Sequence, residues 1–210
     1  DISNKYNLQI IEDACHAYLA TYKGNYAGTF GKSGCFSLHP LKNLNVWGDG
    51  GIIVTNDDKF AEHLRLIRNH GLKNRNLCET FAYNSRLDTI QAVVAMHVLD
   101  KINHITNKRI FNANYLDMEL GNLNEVKIPN RDKNNVKSVH HIYPLQFEKR
   151  DKLMNYLISY GIDAKIHYPV PMHLQPAAKD LGYNEGDFPK TELLSKKTLS
   201  LPIHEFISED

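Results

Sequence analysis

The sequence is poor in cysteine, in long apolar runs and in excess charge of one sign. Its 210 residues include three cysteines and one tryptophan, and the formal net charge is +1. Cys15, Cys35 and Cys78 form neither a zinc-ligand pattern nor a disulfide framework, so a reducing cytoplasm is the simplest setting. The longest apolar runs, 51–54 and 92–96, fall far short of the roughly 20 residues of a membrane span. No basic stripe interleaves with aromatic residues, so neither nucleic acid nor a membrane is an expected partner.

The composition is that of a folded protein with a substantial core. Hydrophobic residues make up 42% of the chain and charged residues 23%, which is typical of globular domains. The length allows one large domain or two modest ones. The chain begins with Asp1 rather than Met and soon enters a strand pattern, so we expect it to be the C-terminal part of a longer protein.

Apolar periodicity, caps and turn residues predict an α/β chain. The predicted strands are 8–11, 35–39, 52–55, 139–147 and 162–166. The predicted helices are 2–6, 59–69, one long helix from Ser85 or Asp88 toward Leu120, 150–160 and 192–199. We place a domain boundary along the long helix. Residues 1–120 are then part of a large domain with a mainly parallel sheet, and residues 121–210 form a small α+β domain.

Lys42 is the most informative lysine in the chain. It follows the predicted strand 35–39 and has apolar neighbours, so it would be partly shielded from water. Shielding favours the neutral amine that acts as a nucleophile. Taken alone the signal is weak, because most lysines are solvated surface charges and Pro40 and Asn43 fit an ordinary turn.

Other residues of the sequence can supply the groups that a pyridoxal phosphate (PLP) site requires beside its lysine. Such enzymes use a lysine for a Schiff base and a carboxylate beside the pyridine nitrogen. Asp13 at the end of the first predicted strand can supply the carboxylate, although a lone Glu-Asp pair is more simply a solvated turn. Ser37 and Asn84 can offer donors to a phosphate, and the glycine-rich turn 48–51 lets backbone approach a ligand closely.

An ordered series of motifs resembles one enzyme family. The sequence is similar to the DegT/StrS family of PLP-dependent nucleotide-sugar aminotransferases, which have the fold type I (aspartate aminotransferase) architecture. The matching stretches are IEDACHA at 11–17, GTFG at 28–31, CFSLHPLKNL at 35–44, GDGGIIVTN at 48–56, RNHG at 68–71, YNSRLD at 83–88, HYPVPMH at 167–173 and LP at 201–202. Each is unspecific alone, and their shared order through the chain is the specific signal.

The resemblance implies a role for each matching cofactor residue. Lys42 would hold the cofactor and later carry the proton between cofactor and substrate carbons. Asp13 would pair with the pyridine nitrogen, His16 would approach the phenolic oxygen of the ring, and Ser37 would contact the phosphate. Asn84 would reach the phosphate of the cofactor in a partner subunit, which implies a homodimer with shared active sites.

The resemblance also implies the substrates. Glutamate is the family's usual amino donor, and a keto sugar linked to a nucleotide is the acceptor. His167, Tyr168, His173 and Arg86 are expected to lie near this sugar nucleotide. The residues around Arg86 and in the 167–173 loop resemble those of family members that aminate 3-keto sugars. Such members serve pathways of amino-sugar and polysaccharide biosynthesis.

Two other function classes are considered, regulatory or sensor-like proteins and dehydratases. Some relatives are regulatory or sensor-like proteins, and the chain could be an inactive fragment, because the family's N-terminal portion, with its own cofactor contacts, is not among these residues. Relatives that act as dehydratases carry a histidine in place of the lysine, and Lys42 argues against that reading. His140 and His141 could bind a metal, but no partners stand at zinc-like spacing and we expect no metal site.

Overall fold

A computed structural model describes residues 1–208 as two compact units. The first unit contains residues 1–107 and 132–141, and the second contains residues 108–131 and Ile142 onward. The α/β fold class expected from the sequence is confirmed. The assignment of residues 1–120 to a large domain and 121–210 to a small domain stays a prediction.

The elements are short, and most strands have two to five residues. The strands are β1 Ile11–Asp13, β2 Thr21–Tyr22, β3 Asn25–Tyr26, β4 Ser33–Ser37, β5 Gly51–Val54, β6 Leu72–Asn74, β7 Leu77–Cys78, β8 Val126–Lys127, β9 Val136–Lys137, β10 Tyr143–Phe147 and β11 Thr198–Leu201. The α-helices are α1 Ile2–Tyr6, α2 Asp58–Ile67, α3 Thr89–Leu99, α4 Ile102–Leu120, α5 Arg150–Ser159 and α6 Pro189–Lys197. Two 3₁₀ helices cover Met172–Leu174 and Pro176–Leu181.

The first unit is organised by a sheet with the order β1-β4-β5. β1 runs parallel to β4, whereas β5 runs antiparallel to it, so the expected parallel arrangement holds for one of these two pairings. Glycine makes the packing against β4 possible. A Cβ added at Gly34 would lie 2.3 Å from the Cα of Gly28, which has a φ of +87°. The two backbones therefore touch at a point where no side chain fits.

The predicted helix 59–69 is confirmed as α2, and its cap explains where it begins. The Asp57 carboxylate accepts a hydrogen bond from the Phe60 N–H at 3.0 Å, as an N-cap residue does. The single long helix expected toward Leu120 is instead two helices, α3 and α4. The Lys101 N–H bonds the Val98 carbonyl at 3.0 Å, a three-residue contact that tightens the turn between them.

Three predicted strands are wrong in extent. The strand predicted at 139–147 begins only at Tyr143, as β10. Leu8 and Ile10 lie outside β1 and are exposed, so the apolar run is not the buried strand that its composition suggested. The predicted strand 162–166 is reduced to one bridge between Lys165 and Ser200. The Ala164 N–H bonds the Ile162 carbonyl two residues back, which bends the segment away from extended geometry.

The second unit is built on a sheet with the order β11-β10-β8. Side chains of β10 alternate between buried and half-buried, and its inward residues pack with Ala113 and Leu199. The buried Tyr143 hydroxyl donates to the Asp117 carboxylate at 2.7 Å, and Arg131 donates to both oxygens of the same carboxylate. Tyr143 is thereby buried with its polar atom satisfied.

No helix within residues 1–208 combines the length and the apolar character needed to cross a bilayer.

Candidate active site

The lysine loop folds back on the end of β4. The Leu38 N–H donates to the Gly50 carbonyl at 2.8 Å, and the Val46 N–H donates to the Leu38 carbonyl at 2.9 Å. Leu38, Leu44 and Val46 are buried beneath the loop, while Lys42 is half-buried. The partial shielding of Lys42 expected from its neighbours is therefore present.

Asn43 anchors the loop beside Lys42. Its side chain is 4% exposed, and its amide donates to the Val139 carbonyl at 3.0 Å. Both residues belong to the first unit although 96 positions separate them. A hydrogen bond from a buried side-chain N–H restrains the adjacent backbone, because leaving that donor without a partner would be costly. Lys42 thus extends from a held backbone.

Asp13 lies close enough to Lys42 for their charges to interact. The thiol of Cys15 lowers the pKa of the Asp13 carboxyl most strongly by hydrogen bonding, and the Cys15 N–H, 3.1 Å from Oδ1, acts in the same direction. The charges of His16 and Lys42 lower this pKa further. The Asp13 carboxyl therefore loses its proton more readily than an isolated aspartic acid, and it is ionised at neutral pH.

Glu12, the neighbour of Asp13, has an unrelated structural task. Its carboxylate accepts hydrogen bonds from the N–H groups of Gly28, Phe30 and Gly31 at 2.7, 2.6 and 2.7 Å. Successive residues of a strand point to opposite faces, so adjacent carboxylates on β1 meet different surroundings. The solvated-turn reading does not fit Glu12, which organises the turn, whereas Asp13 is exposed at the end of β1 and accepts the Cys15 N–H.

His16 contacts a histidine that sequence reasoning did not connect with it. The rings of His16 and His141 lie 4.2 Å apart, centre to centre, and are inclined by 57°. His141 follows His140, which is buried and has a φ of +46°. The two rings are 125 positions apart in the sequence, so no local pattern could have paired them. Their proximity follows from the return of residues 132–141 to the first unit.

Ser37 and Asn84 occupy different parts of the first unit. The Ser37 hydroxyl accepts a hydrogen bond from the His39 N–H at 3.2 Å, and a hydroxyl that accepts can still donate. Asn84 is bridged to Asn69, and its side-chain oxygen accepts a hydrogen bond from Arg86 Nε at 3.0 Å. The structure thus places Ser37 at the Lys42 end of β4, whereas Asn84 and Arg86 form a separate exposed group.

The two histidines of the 167–173 loop, in the second unit, turn inward. His167 Nδ1 lies 2.9 Å from the Ser200 hydroxyl, and burial lowers the pKa of His167. His173 Nε2 lies 3.0 Å from Glu192 Oε1. Tyr168, by contrast, is 71% exposed. The three expected substrate residues therefore differ in what they can present to a ligand.

The residues around Lys42 fit PLP chemically. An amine, an ionised carboxylate and a hydroxyl come from β1, β4 and the loop that follows β4. A lowered pKa at Asp13 is what an acceptor for a pyridinium proton requires. A donor set of this composition matches the cofactor that the sequence implied.

Comparison with known proteins agrees with this chemistry. A family model described as the DegT/DnrJ/EryC1/StrS aminotransferase family matches residues 1–210. The chain belongs to this family. In the structure of S. venezuelae DesV, with 36% identity and a TM-score of 0.95, the match covers 99% of this chain and 56% of that one.

Two curated relatives of this aminotransferase-family chain carry different kinds of name. One is the pleiotropic regulatory protein of Geobacillus stearothermophilus, 36% identical over 210 residues, which are all of this chain and 56% of the relative. The other is dTDP-3-amino-3,4,6-trideoxy-alpha-D-glucose transaminase of Streptomyces venezuelae, 37% identical over 97% of this chain and 53% of its own length. The chain thus spans little more than half the length of these relatives.

Substitutions of the two carboxylates of β1 should have different effects on the free energy of unfolding. We expect Glu12→Ala to lower the free energy of unfolding by about 1.5–3 kcal/mol, since three backbone donors lose a charged acceptor. Asp13→Ala is the matched control and should change it by about 0.5 kcal/mol or less, because Asp13 is exposed. Urea denaturation followed by circular dichroism measures both. Equal losses would contradict the division of roles.

The pKa of Asp13 should depend on the Cys15 thiol. Cys15→Ala removes the strongest cause of the lowered pKa, so we expect the pKa of the Asp13 carboxyl to rise toward its ordinary value. Because the folded-state pKa is lowered, ionised Asp13 stabilises the fold above the ordinary pKa, and this contribution is lost as pH falls through the folded value. Carbon-detected NMR titration reports the shift, with Cys78→Ala as control. An unchanged titration in Cys15→Ala would exclude the thiol as the cause.

Proposed function

We propose that this chain carries the lysine and carboxylate of a PLP-dependent aminotransferase that moves an amino group from glutamate to a keto sugar linked to a nucleotide. The observation that carries the proposal is the contact between β1 and β4, whose parallel pairing sets Asp13 opposite Cys35, two residues before Ser37 and seven before Lys42. Membership in an aminotransferase family gives that contact its chemical meaning.

Each residue of the site has a proposed task. PLP bound here would supply an electron sink for the substrate carbanion. Lys42 holds the cofactor through its amine and afterwards carries a proton to and from the substrate carbon. Asp13 keeps a proton on the pyridine nitrogen, His16 lies toward the phenolic oxygen, and Ser37 donates to the phosphate. The anchored backbone at Asn43 limits the positions that the Lys42 amine can reach.

The proposed acceptor is a nucleotide-linked sugar with a keto group at carbon 3. The name of the Streptomyces venezuelae relative specifies a 3-amino sugar carried by dTDP. Tyr168, His167, His173 and Arg86 remain the predicted substrate residues. The proposed setting is the cytoplasm, where free thiols persist, and Cys15, Cys35 and Cys78 are all free.

A regulatory function is the second candidate. It is favoured by the name of the Geobacillus stearothermophilus relative, whose match covers all of this chain. A sensor could retain cofactor binding without turnover. Transfer of the amino group is therefore the property that distinguishes the two candidates.

Cofactor attachment tests the proposed function directly. We expect added PLP to give a visible absorption band with this chain, or with a longer natural version that contains it. Borohydride should fix the cofactor on the peptide that contains Lys42, because reduction makes a Schiff base permanent. Lys42→Ala should lose the fixed label, and Lys59→Ala, in the exposed first turn of α2, should keep it.

The outcomes separate the candidates. A band with glutamate-dependent bleaching, followed by amination of a 3-keto sugar nucleotide, supports the transferase. A band without either half-reaction favours the regulatory protein. A folded longer version that gives no band contradicts the transferase and leaves a regulatory protein or an inactive remnant.

We also propose a homodimer whose active sites are shared, with Asn84 contributing to the partner's cofactor phosphate. The exposed Asn84 is held by Arg86 and by its bridge with Asn69. A side chain fixed at the surface in this way is suited to a ligand outside its own unit.

Mixing two inactive variants tests the shared site. Asn84→Ala and Lys42→Ala should each abolish most transfer activity in the longer version. A hybrid dimer contains one site with both defects and one with neither, so mixing after denaturation and refolding should restore part of the activity. The parent variants refolded separately are the control. Hybrids as inactive as their parents would place Asn84 in its own subunit's site or outside it.

A further inference from the structure

The segment 167–173, here called the strap, is held at both ends by inward-facing histidines. His167 Nδ1 is 2.9 Å from the Ser200 hydroxyl, and Ser200 is 4% exposed. His173 Nε2 is 3.0 Å from Glu192 Oε1, and the side chains of this pair are 8% and 9% exposed. One ring nitrogen of each histidine is therefore engaged in a contact within the protein itself.

The Glu192 carboxylate bonds backbone N–H groups in addition to the His173 ring. Its two oxygens accept the Gly186 N–H at 2.9 and 3.0 Å, and Oε1 also accepts the Phe188 N–H at 3.2 Å. The Phe188 contact resembles a helix cap, because Phe188 precedes α6 and Glu192 lies in its first turn. A helix cap does not require a histidine. The hydrogen bond between Glu192 and His173 therefore has a separate effect, which is to connect the start of α6 to the strap.

The electrostatics and packing around Glu192 favour a lasting contact between Glu192 and His173. Burial alone would raise the pKa of the Glu192 carboxyl, but hydrogen bonds from Gly186, His173 and Phe188 outweigh burial, and the pKa lies below its usual value. The His173 ring also packs on Phe188 with 4.7 Å between centroids, and Phe188 contacts Tyr183 at 5.2 Å. The carboxylate is therefore ionised and enclosed at neutral pH.

Between the two anchors the strap exposes large side chains. Tyr168 is 71% exposed and Met172 is 80% exposed. A phenol ring with a hydroxyl suits stacking and hydrogen bonding, and a methionine adapts to irregular apolar surfaces. Large exposed side chains on a rigidly held loop are typical of binding sites.

We propose that Glu192 is a positioning residue for the nucleotide sugar, acting through His173 on a strap whose contacting side chains are Tyr168 and Met172. This inference rests on the proposed function and deepens it. It adds Glu192 and Met172 to the substrate residues. It also changes the role of His173 from a ligand of the substrate to an anchor of the strap.

The experiment separates nucleotide binding from cofactor binding. Glu192→Ala is compared with Glu185→Ala, which removes an exposed carboxylate whose recorded ion pair is with Lys196, also exposed. UDP and dTDP serve as probes in calorimetry with the longest natural version of the chain, with and without added PLP. We expect Glu192→Ala to weaken binding of the better probe by roughly tenfold to a hundredfold, as misplacement of a contact does. Its PLP affinity and absorption band should be unchanged.

Two further variants keep the inference falsifiable if Glu192→Ala does not fold. Glu192→Gln retains an acceptor oxygen and should rescue part of the affinity. Tyr168→Ala leaves the hydrogen bonds of both anchors in place, although it removes the edge contact of the Tyr168 ring with the His167 ring. It should weaken probe binding while the melting temperature stays close to that of the parent. In a turnover assay both losses should fall on the KM of the sugar nucleotide and leave the KM of glutamate unchanged.

The remaining outcomes overturn the inference. A folded Glu192→Ala or Tyr168→Ala that binds the probes as tightly as the parent would show that the strap is structural only. A parent protein that binds PLP but neither probe would do the same. A parent that binds a probe without a PLP band would instead contradict the proposed function, so the two failures are distinguishable.

Discussion

The first unit depends on a contact between two stretches of backbone, where Gly28 and Gly34 meet without side chains. A Cβ at Gly34 would come within 2.3 Å of the Gly28 Cα, closer than atoms can approach. This contact lets the turn after the β2–β3 hairpin lie against β4. Glu12 fixes the same turn from β1 through three backbone hydrogen bonds. The parallel pairing of β1 with β4, and hence the placement of Asp13 opposite Cys35, follows from this arrangement.

Pairing of β1 with β4 turns a local sequence alternation into a division of labour. Glu12 and Asp13 are adjacent and chemically similar, yet Glu12 stabilises a turn and Asp13 is exposed at the end of β1. Cys15 completes the difference, because its N–H donates to Asp13 Oδ1 at 3.1 Å and its thiol lowers the pKa of the same carboxyl. A carboxylate with a lowered pKa at the end of β1 is the main electrostatic feature of the site, and it arises from hydrogen bonds with Cys15 rather than from deep burial.

Local signals in the sequence predicted local features well. Asp57 before an amphipathic run gave the start of α2, and the apolar surroundings of Lys42 gave its partial shielding. The failures have physical causes that are not local. Leu8 and Ile10 have strand composition, but pairing partners decide whether a strand forms, and here pairing begins at Ile11.

Prediction of the site residues had the same limit, because contacts between distant segments leave no local signal. Asp13, Ser37 and Lys42 could be found because each lies at the end of a predicted strand or just after one. His141 and Glu192 could not, because their contacts with His16 and His173 join segments that are distant in sequence. No periodicity or spacing marks such a pair. The family resemblance supplied roles for matching residues, but it gave no reason to separate the inward histidines of the strap from the exposed Tyr168.

The division into two units has a consequence for how the chain can be cut. The chain passes between the units at 107–108, 131–132 and 141–142, so neither unit is a continuous stretch of sequence. A fragment ending at residue 107 would lose β9, which pairs with β2, and Val139, whose carbonyl holds Asn43 beside Lys42. The surroundings of Lys42 are therefore encoded on both sides of a segment that belongs to the other unit. Truncation or recombination at a single point cannot transfer this site intact.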